Sequence, residues 1–134
     1  MTQNNYPAAV VGHWMSTSLY TIAPGKKVEE AIEIMGENRI RHLPVVDSKG
    51  KLVGLVSSHD VNRSGDLSAA VKSVMTPREK LVTIDSYEPV RGAAGTICEQ
   101  KISGLPVMQG EKLVGIVTSE DLLWALLQEE THED

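Results

Sequence analysis

The spacing of apolar residues changes period several times along the chain, and each change marks an element. Residues 19–22 form a short apolar run stopped by Pro24-Gly25, which reads as a brief strand. Val28, Ala31, Ile32 and Met35 then fall at i, i+3, i+4 and i+7, with Glu29, Glu30, Glu33 and Glu37 opposite them, which predicts an amphipathic helix. Two strand-like runs, residues 43–46 and 51–56, flank Asp47-Ser48-Lys49-Gly50 and predict a hairpin. Ser57 or Ser58 caps a short helix that stops near Ser64-Gly65.

The same succession then recurs. Residues 81–84 read as a strand, and Val90, Ala93, Ala94 and Ile97 repeat the helical spacing. Residues 105–108 and 112–117 form a second hairpin around Gln109-Gly110, and a last helix runs from about Ser119 to Glu130. Residues 1–7 are polar and read as loose, residues 8–15 as a short helix or an extended arm, residues 66–75 as a connection, and the end of the chain as a polar tail.

The two passes superimpose. Thr21-Ile22 matches Thr83-Ile84, the four helical apolar positions match, and Leu43-Pro44-Val45 matches Leu105-Pro106-Val107, all at a separation of 62. Past the shorter second turn, Gly54 matches Gly115 at 61. Chance does not keep so many positions in order, so the chain is a tandem repeat. Each copy reads β-α-β-β-α, an α/β class, with boundaries at residues 8–65 and 66–130. A unit of about 60 residues buries too little surface to be comfortable alone, so two packed copies make the more plausible domain.

Composition narrows the function classes. The net charge of −5 argues against broad binding to nucleic acid or to an anionic membrane surface. No apolar run approaches the ~20 residues that span a bilayer, and the N-terminal stretch lacks the basic and apolar regions of a signal peptide. A cytoplasmic protein is the simplest reading. Phe is absent, so aliphatic residues and Met must build the core. The single Cys98 forms no internal disulfide and falls beside the core face of the second long helix, which predicts a small buried thiol. His13, His42, His59 and His132 show no metal-ligand spacing, phosphate-cradling glycine loops are missing, and no nucleophile–base set stands out. The reading is therefore non-catalytic, with no catalytic cofactor.

The most informative stretch occurs twice: KLVGLVSSHDV and KLVGIVTSEDL. A strand ends at a hydroxyl residue, and an aspartate follows three positions later, at a helix start. The succession of strand, helix, Leu-Pro-Val, turn and Gly-(Leu/Ile)-Val-(Ser/Thr)-x-x-Asp, twice in register over roughly residues 8–130, resembles a tandem pair of CBS domains, a Bateman module.

That resemblance implies a stand-alone CBS-domain protein whose two sheets face each other across two clefts. It implies an adenine nucleotide (AMP, ADP or ATP) or related adenosyl ligand there. The hydroxyls of Ser57 and Thr118 would contact phosphate, and Asp60 and Asp121 would hold the ribose hydroxyls. The base would lie against Thr21, Ile22 and Ala23 with Arg41, His42, Leu43 and Pro44, and against Thr83, Ile84 and Asp85 with Ser103, Gly104, Leu105 and Pro106. A hydroxyl and backbone N–H groups at a helix N-terminus do favour an anion. The same [ST]-x-x-[DE] pattern is equally a capping box, and both roles stay open. Arg41, His42, His59 and Arg63 could pair with phosphate or lie on a solvated surface without a specific role. Their counterparts are Ser103, Gly104, Glu120 and Trp124, and Glu120 beside Thr118 would repel a multiply charged phosphate unless it points away. In the mechanism implied, ligand bridges the repeats, changes their angle, and an effector protein acting in trans reads the change. The rival class is an interaction module with vestigial clefts. Finally, Leu122, Leu123, Trp124, Ala125, Leu126 and Leu127 leave the last helix little polar face, which predicts a homodimer.

Overall fold

The computed structural model describes residues 5–131, with side chains as far as Gln128. The first four and last three residues, His132 and most of the expected tail among them, lie outside the described residues. Among the described residues five helices and six strands follow in the order α1 (Val11–Trp14), α2 (Val28–Asn38), β1 (His42–Val46), β2 (Leu52–Ser57), α3 (Ser58–Ser64), β3 (Thr76–Pro77), β4 (Ile84–Asp85), α4 (Val90–Gln100), β5 (Gly104–Gln109), β6 (Lys112–Thr118) and α5 (Ser119–Thr131). Single 3-10 turns at Val71–Ser73 and Arg78–Lys80 flank β3. Among the described residues no helix is long and apolar enough to cross a membrane.

Two compact units result. One is Tyr20–Leu81; the other joins the described residues before Tyr20 to those after Leu81. In the first, the β1–β2 hairpin is antiparallel, and β3 pairs with β2 through Leu55 and Thr76. In the second, the β5–β6 hairpin takes β4 on one side in parallel, and Ser16 bridges to Ile116 on the other. Residues 19–22, expected as a strand, contribute only a bridge from Ile22 to Val45.

The cores are built from equivalent residues. In the first unit Ile22, Ala31, Met35, Leu43, Val45, Val56, Val61 and Val71 pack together; in the second, Ile84, Ala93, Ile97, Leu105, Val107, Val117, Leu122 and Val11 do so. The helical stripe is narrower than the spacing predicts. Ile32 is 37% exposed at its edge, and Cys98, expected to be buried, is exposed one position past the core residue Ile97. Both long helices close on a non-glycine residue in the left-handed region, Arg39 (φ 56°) and Lys101 (φ 57°), whose N–H groups bond back to Met35 and Ile97.

One element was hidden in the sequence. Residues 7–17 and residues 67–77 are two copies of a single arm, offset by 60 rather than 62. Val28 N–H donates to the Ala69 carbonyl (2.8 Å), and Val90 N–H to that of Ala9 (2.8 Å). Val71 N–H donates to Lys26 (2.7 Å), and Val11 N–H to Glu88 (2.9 Å). Each arm therefore docks at the start of the long helix of the repeat it does not precede: the N-terminal arm serves α4, and the connection serves α2.

Gly54 and Gly115 exist because of these arms. A Cβ at Gly54 would sit 2.5 Å from Met75 Sδ and 2.7 Å from the Thr76 carbonyl. At Gly115 it would sit 2.6 Å from Met15 Sδ and 2.9 Å from the Ser16 carbonyl. No side chain fits where arm and strand approach this closely.

Candidate functional site

β2 delivers Ser57 to the start of α3. Ser57 N–H donates to Asp60 Oδ2 (2.9 Å), and Asp60 N–H donates to Ser57 Oγ (3.2 Å). β6 delivers Thr118 to α5 in the same way: Thr118 N–H donates to Asp121 Oδ2 (2.9 Å), and Asp121 N–H donates to Thr118 Oγ1 (3.3 Å). Both junctions are reciprocal capping boxes. The segment before each first hairpin strand is fastened to the same place, by Ser58 N–H to the Arg41 carbonyl (2.9 Å) and Ser119 N–H to that of Ser103 (3.0 Å). Across the ladder His42 lies opposite Ser57, and Gly104 opposite Thr118.

Each junction thus gathers several of the residues singled out in the sequence. At the first these are Arg41, His42, Ser57 and Asp60, with His59 exposed beside them. At the second they are Ser103, Gly104, Thr118 and Asp121, with Glu120 exposed. Leu43, Pro44, Leu105 and Pro106 are buried, so their side chains belong to the cores. Ile22 and Ile84 are buried too, whereas Thr21 and Ala23 are exposed and Thr83 is half-buried. Asp85 uses Oδ2 to accept from Tyr87 N–H (2.8 Å) and so shapes the turn after β4.

The junctions differ in chemistry. Thr118 also donates its hydroxyl proton to Asp121 Oδ2 (3.1 Å), which commits that proton. Asp60 instead has Arg63 Nη2 3.7 Å from Oδ1. Burial, then the Arg41 charge, hold the His42 imidazole below its ordinary pKa, with Asp60 opposing. Burial pushes the Asp121 carboxyl above its ordinary pKa despite the two Thr118 hydrogen bonds, and Glu120 adds to the rise. Among the described residues no three His, Cys, Asp or Glu side chains gather as metal ligands.

The short helix or arm expected at residues 8–15 contains α1, but its equivalence to residues 67–77 is not seen in the repeat alignment, because these two copies are separated by 60 rather than 62. The available signal was Ala9-x-Val11-x-x-x-Met15-Ser16 against Ala69-x-Val71-x-x-x-Met75-Thr76.

The CBS-domain family model matches residues 11–65 and again 71–128. The chain belongs to the CBS-domain family. A homoserine O-acetyltransferase of Methanohalobium evestigatum is 40% identical over 81% of this chain, which spans only 22% of that relative. Among solved structures, the CBS domain pair of protein MJ0100, in complex with 5′-methylthioadenosine and S-adenosyl-L-methionine, superposes with a TM-score of 0.83 at 32% identity, over 92% of this chain and 99% of that one. CBSX2 in complex with AMP gives a TM-score of 0.80 at 28% identity, over 90% and 98%. The α/β class and the two CBS repeats expected from the sequence are those of the structure.

Proposed function

We propose that this chain is a regulatory CBS module that binds an adenine nucleotide or related adenosyl compound. Ser57 with Asp60, and Thr118 with Asp121, act as clamps, and occupancy is signalled to an effector protein in trans in a cytoplasmic setting. The observation that carries the reading is that one hydroxyl–carboxylate junction is built twice, in the same atoms and the same register, in a chain whose structural neighbours hold AMP, methylthioadenosine and S-adenosylmethionine. Capping and clamping are compatible, because capping occupies Oδ2 of each aspartate and leaves Oδ1, which at Asp60 also faces Arg63, able to accept from a ribose hydroxyl. The module transmits a signal only as far as the ligand prefers one conformation over another.

The test is calorimetric titration of AMP, ADP, ATP and S-adenosylmethionine into wild type, Asp60→Ala and Asp121→Ala, beside their melting temperatures. A hydrogen bond to a charged group contributes about 1.5–3 kcal/mol, so losing one or two should weaken binding roughly ten- to several-hundred-fold. The complete caps favour a second reading, an interaction module with vestigial clefts. That reading expects about 0.5–2 kcal/mol of stability lost in each variant and no ligand heat in any.

The same reading includes a homodimer through α5. Leu123, Trp124, Leu126 and Leu127 are each more than half exposed, which is more apolar surface than one helix of a monomer ordinarily presents. A cavity of about 390 Å³ beside it, lined in part by Trp14, Val90, Ala125 and Gln128, offers a seat for a large apolar side chain of a second copy. Light scattering at micromolar concentration should give twice 14.6 kDa. Trp124→Glu should return the monomer, and a wild-type chain that is monomeric throughout rejects the dimer.

A further inference from the structure

We propose that the two clamps select ligands by charge: the Ser57/Asp60 clamp takes a phosphorylated adenosine, and the Thr118/Asp121 clamp takes an adenosyl thioether or sulfonium without phosphate. The inference rests on the adenosyl-binding reading above and adds to it the ligand class of each site.

Three side-chain positions around the clamps are equivalent by hydrogen bond or register. Arg41 and Ser103 supply the carbonyl that receives the first helical N–H. His42 and Gly104 stand opposite the clamp hydroxyl. His59 and Glu120 immediately precede the clamp aspartate. The first set brings a permanent cation and two imidazoles; the second brings no cation and one carboxylate. Arg63 extends the difference, since it lies 3.7 Å from Asp60, whereas no cation pairs with Asp121 among the described residues.

The hydroxyls differ in the same sense. A phosphate oxygen is purely an acceptor and needs donors. The Thr118 hydroxyl already donates to Asp121. Among the described residues the Ser57 hydroxyl only accepts, from Asp60 N–H, so its proton is available for a ligand oxygen. A phosphate at the second clamp would meet the carboxylates of Glu120 and Asp121 with no cation among the three equivalent positions to offset them. A sulfonium would find that field favourable, and a thioether would be indifferent to it. The charges reach the clamps, because Arg41 opposes protonation of His42 and Glu120 opposes ionisation of Asp121.

Calorimetry on the full chain with AMP and with 5′-methylthioadenosine tests this. Each ligand should fill one site per chain without displacing the other. Raising salt should weaken AMP at least several-fold more than methylthioadenosine, because the ionic contacts are screened. The double variant Arg41→Ser/His42→Gly should lose at least tenfold in AMP affinity and far less for methylthioadenosine, and Glu120→His should create a second AMP site. Arg41 and Glu120 are exposed but His42 is half-buried, so the melting temperature of each variant is read beside its titration to confirm folding. Two equivalent AMP sites in wild type, or equal losses of both ligands in the double variant, would overturn the charge selection alone. Absence of heat from both ligands in wild type would reject the adenosyl reading, and the selection with it.

Discussion

Tyr20–Leu81 and the unit split across the two ends of the chain are the same object built under different constraints. Their cores agree position by position, from Ile22 and Ile84 to Val56 and Val117. Their junctions agree in backbone and capping atoms but not in charge. Packing density tolerates little change in the volume of a buried side chain, so repeated cores stay alike. An exposed residue beside a capped helix is under no such constraint, and that is where Arg41 became Ser103 and His59 became Glu120 in going from one unit to the other.

Core truncation should show the likeness with the largest effect. Leu43 and Leu105 are both fully buried, so Leu43→Ala and Leu105→Ala should each cost about 2–5 kcal/mol in urea denaturation. Losses that differed by more than twofold would show that the split unit does not carry equal stability. Next come the glycines under the arms. Gly54→Ala and Gly115→Ala should each cost about 1–3 kcal/mol by overpacking. Gly54 should be the worse, because its new Cβ lies closer to an unyielding backbone carbonyl, 2.7 Å against 2.9 Å; the reverse order would mean that the second arm is the more firmly held.

Acidification should separate the units by sign. His42 has its folded pKa below the ordinary 6.5, so the unfolded chain takes up the proton first, and this group costs stability as the pH falls below about 6.5. Asp121 has its folded pKa above the ordinary 3.8, so the folded chain protonates first, and this group is relieved as the pH falls toward 3.8. Melting temperature against pH should therefore fall less steeply below 6.5 in His42→Gln and more steeply nearer 4 in Asp121→Asn. Identical profiles for both variants and wild type would remove the electrostatic contrast. The smallest effect should be a gain. Arg39→Gly and Lys101→Gly relieve left-handed residues at equivalent helix ends and should each stabilise by about 0.5–1 kcal/mol.

Much of this fold was legible because its signals are local. Val28, Ala31 and Met35 carry the helical period within one element, and Asp47 marks its own turn by accepting from Lys49 and Lys51 N–H (2.9 Å each). The junctions were legible because Ser57/Asp60 and Thr118/Asp121 lie three residues apart. What failed depends on contacts distant in sequence. Residues 19–22 have strand character but find a partner only at Val45. Cys98 follows a core residue, yet the arm and the hairpin cover only the stripe through Ala93 and Ile97. The arms match each other at a separation of 60, off the register of the main repeat, and their partners Lys26 and Glu88 are contacts distant in sequence that periodicity does not reveal.

The docking of the arms also fixes an order of events during synthesis. The contact from Lys72 N–H to Pro24 spans 48 residues and can close as soon as the chain has emerged beyond β3. The equivalent contact from Gly12 N–H to Ser86 spans 74. By loop-closure entropy the difference is only ~0.4 kcal/mol, so the longer route is hardly disfavoured at equilibrium. In time it matters more. The arm that holds Val11 leaves the ribosome before Tyr20–Leu81 and waits for α5, its buried Val11 in water while Tyr20–Leu81 already has every strand it needs. The split unit has the higher contact order and should be the slower to form.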